Sequence, residues 1–245
     1  MLDLLLTRHG TTTAGEVMLG GQLDVPLSDQ GRHEAEALAE RLEGVRIDRI
    51  ISSPMARAME TAEIVARGRP FEVDDRLREL DYGRWEGLDY REIDARDLDL
   101  RARWEADPGA THSPGGESGS DVAARTRAFL DSLLAAEHLP HLPSPAAAAP
   151  QRSPDAGGSR RVPAEGSDES ARERRVLVVA HGTLNRILMC VALGVPVREY
   201  RRRFVMDRAG LSLLRYEPGD GPDGAQLILS NDVCHLRAPG QAPWG

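Results

Sequence analysis

Apolar and polar positions divide the chain into short blocks that alternate in period. Leu2 to Thr7, in "LDLLLTRHG", is an apolar run of strand length, the pattern of a strand covered on both faces. "LSDQGRHEAEALAERLEG" follows with a helical apolar period through Ala35, Leu38 and Leu42. Ser28 is placed to cap that helix and Gly44 to end it. "DRIISSP" reads as a second strand ending near Ser52, and "SPMARAMETAEIVARG" as a helix with Ser53 at its cap and Pro54 at its first position.

The later blocks repeat the alternation. Phe71 to Val73 has the length and character of a short strand, and "LRELDYGRWEGLDYREI" is irregular before it turns helical. "SGSDVAARTRAFLDSLLAAE" predicts a helix capped by Ser118 or Ser120. "RVLVVAHGTLNRILMCVALG" predicts a strand at Val176 to Ala180 and a helix that stops at Gly194. "LSLLRYE" and "QLILSND" read as two final strands, paired as a hairpin across "PGDGPDG".

Strands alternating with helices imply one α/β domain over residues 1–245, a three-layer sandwich with a mostly parallel central sheet flanked by helices. One stretch stands outside the pattern. Pro140 to Arg174 is rich in Pro, Ala, Gly, Ser and charge without apolar periodicity, and is expected to be a disordered insertion at 140–174 between a helix and a core strand.

Composition narrows the function. The net charge of −8 speaks against nucleic acid or an anionic membrane as the main partner, and no apolar run approaches the length of a bilayer span. An acidic residue near the N-terminus, where a signal peptide carries positive charge, makes cytoplasmic localisation the expectation. Cys190 and Cys234 have no metal-site spacing and lie in apolar sequence, so both are expected to be reduced, buried thiols. All 31 basic residues are arginine, so a single Arg is weak evidence of a special role.

Candidate chemistry collects at three predicted strand ends: Arg8-His9-Gly10, Ser52-Ser53-Pro54 with Arg57 one turn later, and His181-Gly182-Thr183. In a parallel sheet these ends share the ligand-binding edge. Arg57 falls in the first turn of a helix, where the helix dipole disfavours a cation, and His181 stands just before another helix start. Cations gathered with free helix N–H groups make sense around a compact anion, and phosphate fits. An imidazole at His9, held in a tight turn at Gly10, can attack phosphorus directly; a carboxylic acid from the irregular "LRELDYGRWEG" segment can protonate the leaving oxygen. Glu79, Asp81 and Glu86 are the acids available there.

"TRHG", "SSPMARAMETA", "LRELDYGRWEG", "PGGES" and "VVAHG", in this order, resemble the histidine phosphatase superfamily, also called phosphoglycerate mutase-like. The resemblance is nearest to its α-ribazole phosphatase-like and broad-specificity phosphatases. It implies hydrolysis of small phosphomonoesters, such as α-ribazole phosphate or sugar and glycerate phosphates, without metal or cofactor. It further implies His9 as the phosphorylated nucleophile, Glu79 as general acid and base, and a phosphate and substrate set of Arg8, Thr12, Gly21, Arg57, His181 and Gly182. The partner is a small phosphorylated substrate and the assembly a monomer or homodimer. Thr11 and Gly15 stand where the family often has an acid or amide and an Asn, and Gly20 where it often has Gln.

Other positions carry plainer expectations. Glu79 could simply pair with Arg76 or Arg78, and Tyr82, Trp85 and Glu86 could pack the loop beneath it. "HSPGGES" is expected to belong to a substrate lid, and Arg201-Arg202-Arg203 to be a solvated helix face. His33, His112, His138 and His141 are expected at the surface or in loops, and His235 in a structural hydrogen bond or a functional one. Two alternatives stand beside the phosphatase: a phosphoglycerate mutase, disfavoured by "GLDY" and "RARWEADP" where mutases differ, and a non-catalytic phospho-ligand module, disfavoured by the intact His9, Glu79 and His181. A metal hydrolase is weaker still, because no carboxylates accompany the histidines at ligand spacing.

Overall fold

The computed structural model describes residues 1–14, 19–137 and 173–237. A six-stranded sheet runs in the order β3-β2-β4-β1-β5-β6. Its strands are β1 (Leu2–Arg8), β2 (Arg49–Ser52), β3 (Glu72–Val73), β4 (Arg174–Ala180), β5 (Leu211–Tyr216) and β6 (Gln226–Asp232). The four strands from β3 to β1 are mutually parallel, and β5 and β6 add an antiparallel hairpin at the β1 side. The helices are α1 (Asp29–Arg41), α2 (Ala56–Ala66), α3 (Tyr90–Ala106), α4 (Gly119–Ala136), α5 (Gly182–Ala192) and α6 (Tyr200–Arg203).

Strand alternation divides the core into two. On one face Leu4, Leu6, Val176, Val178 and Ala180 pack with α4 and α5; on the other Leu5, Leu177 and Val179 pack with α1 and α2. Two buried faces explain why β1 and β4 read as continuous apolar runs. Each fully buried leucine contributes about 1.5–3 kcal/mol, so the central strands are the most firmly held part of the sheet. Asp3 is a buried carboxylate in β1, and Arg215 meets it at 2.7 Å. Cys190 lies in the first core as expected, whereas Cys234 is exposed, because it opens a short turn after the edge strand β6.

Boundaries moved where a distant group supplied the cap. The helix after β2 begins at Ala56, beyond Ser53 and Pro54, because the carboxylate of Asp24 accepts the Ala56 N–H at 2.7 Å. Ser28 does cap α1 and Ser118 caps α4, the latter in a reciprocal box with Asp121. The expected insertion at 140–174 lies outside the described residues except at its end. There Arg174 already belongs to β4, paired with Leu2, since the parallel ladder extends the strand two residues before Val176.

Register decides what the sheet presents. Arg8 is level with Ala180, and Ser52 with Val179, so β1, β4 and β2 terminate together. The His9 N–H donates to the Ala180 carbonyl at 2.9 Å and the Ser53 N–H to the Val179 carbonyl at 3.0 Å. These bonds carry the ladder one residue past the strands and bring His9, Ser53 and His181 to one edge.

Candidate active site

A cavity of about 290 Å³ opens at that edge. Arg8, His9, Thr12, Gly21, Arg57, Glu79 and Gly182 line it. His181 does not; it is fully buried behind His9, with the two rings 5.2 Å apart.

His9 is held as a neutral ring with a defined tautomer. Its Nδ1 lies 2.7 Å from the Gly10 carbonyl, which can only accept, so Nδ1 carries the proton and Nε2 its lone pair. Arg57 Nε donates to that same Nε2 at 3.2 Å, which agrees. Burial, and then the charges of Arg8 and Arg57, hold the imidazole well below the usual histidine pKa. Gly10 is not in a left-handed conformation. It is glycine because a Cβ there would run into the Gly31 carbonyl of α1, so β1 and α1 meet backbone to backbone.

The cations are fixed from several sides. Arg57 projects from the first turn of α2 and its two Nη atoms donate to the carbonyls of Leu23 at 2.6 Å and Gly21 at 2.7 Å. Gly21 and Arg57 thus form a single unit, with the loop backbone orienting the guanidinium. Arg8 reaches past the start of α5 and donates to the Met206 carbonyl at 3.0 Å. A side chain at Gly182 would press on its guanidinium. His181 is the cap residue of α5, with Nε2 2.7 Å from the Ser53 hydroxyl. That hydroxyl also accepts from Met55 N–H at 3.4 Å. Among the described residues Nδ1 has no hydrogen-bond partner, and burial with the Arg57 charge keeps this ring, too, well below the usual pKa.

Glu79 resolves its alternatives. Arg76 pairs with Asp74 at 2.6 Å and Arg78 with Asp75 at 3.2 Å, leaving the Glu79 carboxylate to the backbone. It accepts N–H bonds from Thr183 at 3.0 Å, Leu184 at 2.9 Å and Leu80 at 2.9 Å. It therefore caps α5 from a distant loop, where His181 supplies no side-chain cap. Asp81 and Glu86 stay off the cavity and serve the loop: Asp81 accepts from Gly83 N–H, and Glu86 from Gln22 N–H and Tyr82 N–H.

The rest of the loop is clamped. Arg125 donates to the carbonyls of Arg76, Arg78 and Glu79 at 2.6, 2.7 and 3.1 Å and pairs with both oxygens of Glu117. Gln22 adds a bond to the Glu79 carbonyl at 2.6 Å. "HSPGGES" is part of this buttress and not a lid: Pro114 accepts from Arg84 N–H, Glu117 donates to Asp81, and the segment does not line the cavity. Gly116 is needed because a Cβ there would run into the Asp81–Gly83 backbone, and Gly115 because its φ is +78°.

Several cavity residues were not singled out as site residues by sequence: Arg186, Arg201, Arg208, Tyr90, Trp104 and Tyr200. Arg201 is the correction among them, since it lies over Trp104 at 4.7 Å instead of on a solvated face. The Arg-only composition and the absence of local pattern hid all three arginines. Tyr82 joins the wall, with its hydroxyl 3.1 Å from that of Thr183. Thr11 binds Glu34 of α1 through both its N–H, at 2.7 Å, and its hydroxyl, at 2.9 Å. It therefore tethers the turn to α1 and is not a ligand group, while Thr12 faces the cavity; Gly15 lies outside the described residues. His235 makes a structural bond to the Ala209 carbonyl at 3.0 Å, and His112 pairs with Asp121 at 2.8 Å. His138 and His141 lie outside the described residues.

The order of these groups along the chain matches a family model over residues 4–140 and 149–224. The chain belongs to the histidine phosphatase superfamily (branch 1). Within this superfamily it is 38% identical to a glucosyl-3-phosphoglycerate phosphatase of Mycobacterium tuberculosis over 240 residues, 96% of this chain and 95% of the other. A protein of the same name from Mycolicibacterium vanbaalenii is 36% identical over 228 residues, covering 91% and 88%. The solved native structure of a mycobacterial glucosyl-3-phosphoglycerate phosphatase superposes with a TM-score of 0.73 at 33% identity, covering 94% and 98%. The chain is a phosphomonoester hydrolase of this superfamily.

Proposed function

We propose that the protein hydrolyses its phosphomonoester through a phosphohistidine on His9. The observation that carries this reading is the His9 ring, whose Nδ1–H is spent on the Gly10 carbonyl while the Nε2 lone pair meets Arg57 inside the cavity. Nε2 attacks phosphorus, the N–P bond forms, and the bond to the leaving oxygen breaks as the Glu79 carboxyl gives that oxygen its proton. The Glu79 carboxylate then takes a proton from water, the resulting hydroxide attacks phosphorus, and the N–P bond breaks to release inorganic phosphate. Arg8 and Arg57 neutralise the equatorial oxygens, with His181 buried behind the His9 ring. The main-chain N–H groups of Thr183 and Leu184 are the natural partners of Glu79 in its carboxylate form.

Rapid mixing with radiolabelled substrate and denaturing quench tests this. Label on the wild-type chain that survives alkali and is lost in acid, and that is absent from His9→Ala, is expected; label retained by His9→Ala overturns the assignment. Glucosyl-3-phosphoglycerate, the compound in the names of the mycobacterial relatives, is the first ester we would assay. The free, exposed Cys234 fits a reducing cytoplasm.

A further inference from the structure

The cavity holds more positive charge than one phosphoryl group requires. Five lining residues are arginine and one, Glu79, is acidic, in a chain whose net charge is −8. Arg8 and Arg57 serve the phosphoryl end. Of the others, Arg201 is already neutralised by Glu105 at 2.8 Å. Arg186 differs: Nε donates to the Gly182 carbonyl at 2.9 Å and one Nη lies 3.4 Å from the Thr183 hydroxyl. Among the described residues no carboxylate pairs with it. Its Cζ lies over the Tyr200 ring, 5.5 Å from the centroid.

A half-buried guanidinium, held in place by neutral acceptors and an aromatic face, keeps donors for an anion that the protein itself does not supply. It stands one turn into α5, the helix whose first residues contact Arg8 and Glu79. We propose that Arg186 receives a second, non-reacting carboxylate of the substrate, and that the enzyme therefore selects phosphorylated hydroxy acids over neutral phosphomonoesters. Carboxylate suits the site because one planar fork matches one monoanion in charge and geometry. The inference rests on the phosphatase reading above and adds which part of the substrate the outer wall recognises.

The test compares 3-phosphoglycerate with glycerol 3-phosphate, the same ester without the carboxylate, alongside 4-nitrophenyl phosphate. Wild-type kcat/KM is expected to favour 3-phosphoglycerate by about 10- to 100-fold, carried mainly by KM. In Arg186→Gln, which keeps donors toward Gly182 and Thr183, that ratio should fall to within about threefold of unity. Arg186→Lys should restore part of it by returning charge without the fork. Equal wild-type rates on the two glycerol esters, or a ratio untouched by Arg186→Gln, overturn the proposal while leaving the phosphatase intact. A ratio lost in Arg201→Gln but kept in Arg186→Gln overturns it in favour of Arg201. If none of the three esters is hydrolysed, the phosphatase reading fails and takes this inference with it.

Discussion

The two ends of the cavity are built differently. At the inner end His9, His181, Arg57 and Glu79 are 5%, 0%, 4% and 9% exposed, and their polar contacts are largely to main chain or to neighbours fixed by the sheet. At the outer wall Arg186 and Arg201, from the successive helices α5 and α6, lie over the rings of Tyr200 and Trp104. Backbone ties over-determine geometry, which suits a reaction that must place a nucleophile and a proton donor within tenths of an ångström. Stacked side chains can shift as units, which suits recognition of whatever the phosphoryl group is attached to. Loss of an inner group should therefore appear in kcat, and loss of an outer one in KM.

The comparison breaks first at His9. His9→Ala should lower turnover on the order of 10⁴-fold for every ester, and a substrate-dependent loss in steady-state assays would place the nucleophile elsewhere. Glu79→Gln should cost about 10²- to 10⁴-fold with poor leaving groups and much less with 4-nitrophenyl phosphate; a leaving-group series giving one uniform loss would remove its acid role.

Arg125 sharpens the contrast because it lies outside the cavity yet holds three carbonyls of the Glu79 loop. Arg125→Met should reduce kcat about 10- to 100-fold with KM little changed, and a change confined to KM would show that the loop does not depend on this clamp. The mildest test is pH. His9 and His181 are held well below the usual imidazole value by burial and then by their arginines, so below about pH 6.5 the unfolded chain binds protons that the folded chain refuses. Stability from this source is complete above that pH. It should decline as pH falls toward the folded values, by about 1.4 kcal/mol per unit for each histidine. Urea titrations between about pH 5 and 6.5, above the carboxylate range, should show that slope and a smaller one with inorganic phosphate bound; a flat profile would mean that one or both rings are protonated in the fold.

Much of the inner end was legible in sequence. Arg8, His9 and His181 follow predicted strands directly and Arg57 opens the helix after a third, so the sheet edge brings them together, as the registers of β1 and β2 on β4 show. Glu79 was legible through family resemblance, since three acids share its segment and nothing local separates them. What distinguishes it is the start of α5, more than 100 residues away in sequence. The misplaced start of α2 has a similar origin, with Asp24 capping across a loop. The buttress of "HSPGGES" was misread because a Gly-Pro turn looks alike whether it covers a ligand or props a neighbouring loop.

The sequence by itself determined the alternation of strands and helices, the double-faced burial of β1 and β4, and the motifs that end three strands, because these depend on periodicity and neighbours along the chain. Tertiary structure decided the tautomer of His9, the anchoring of Glu79 on α5 and the aromatic seating of Arg186 and Arg201. Each of those rests on a hydrogen bond or a ring contact between surfaces that meet only once the helices have packed against the sheet, and local pattern carries no record of such a meeting.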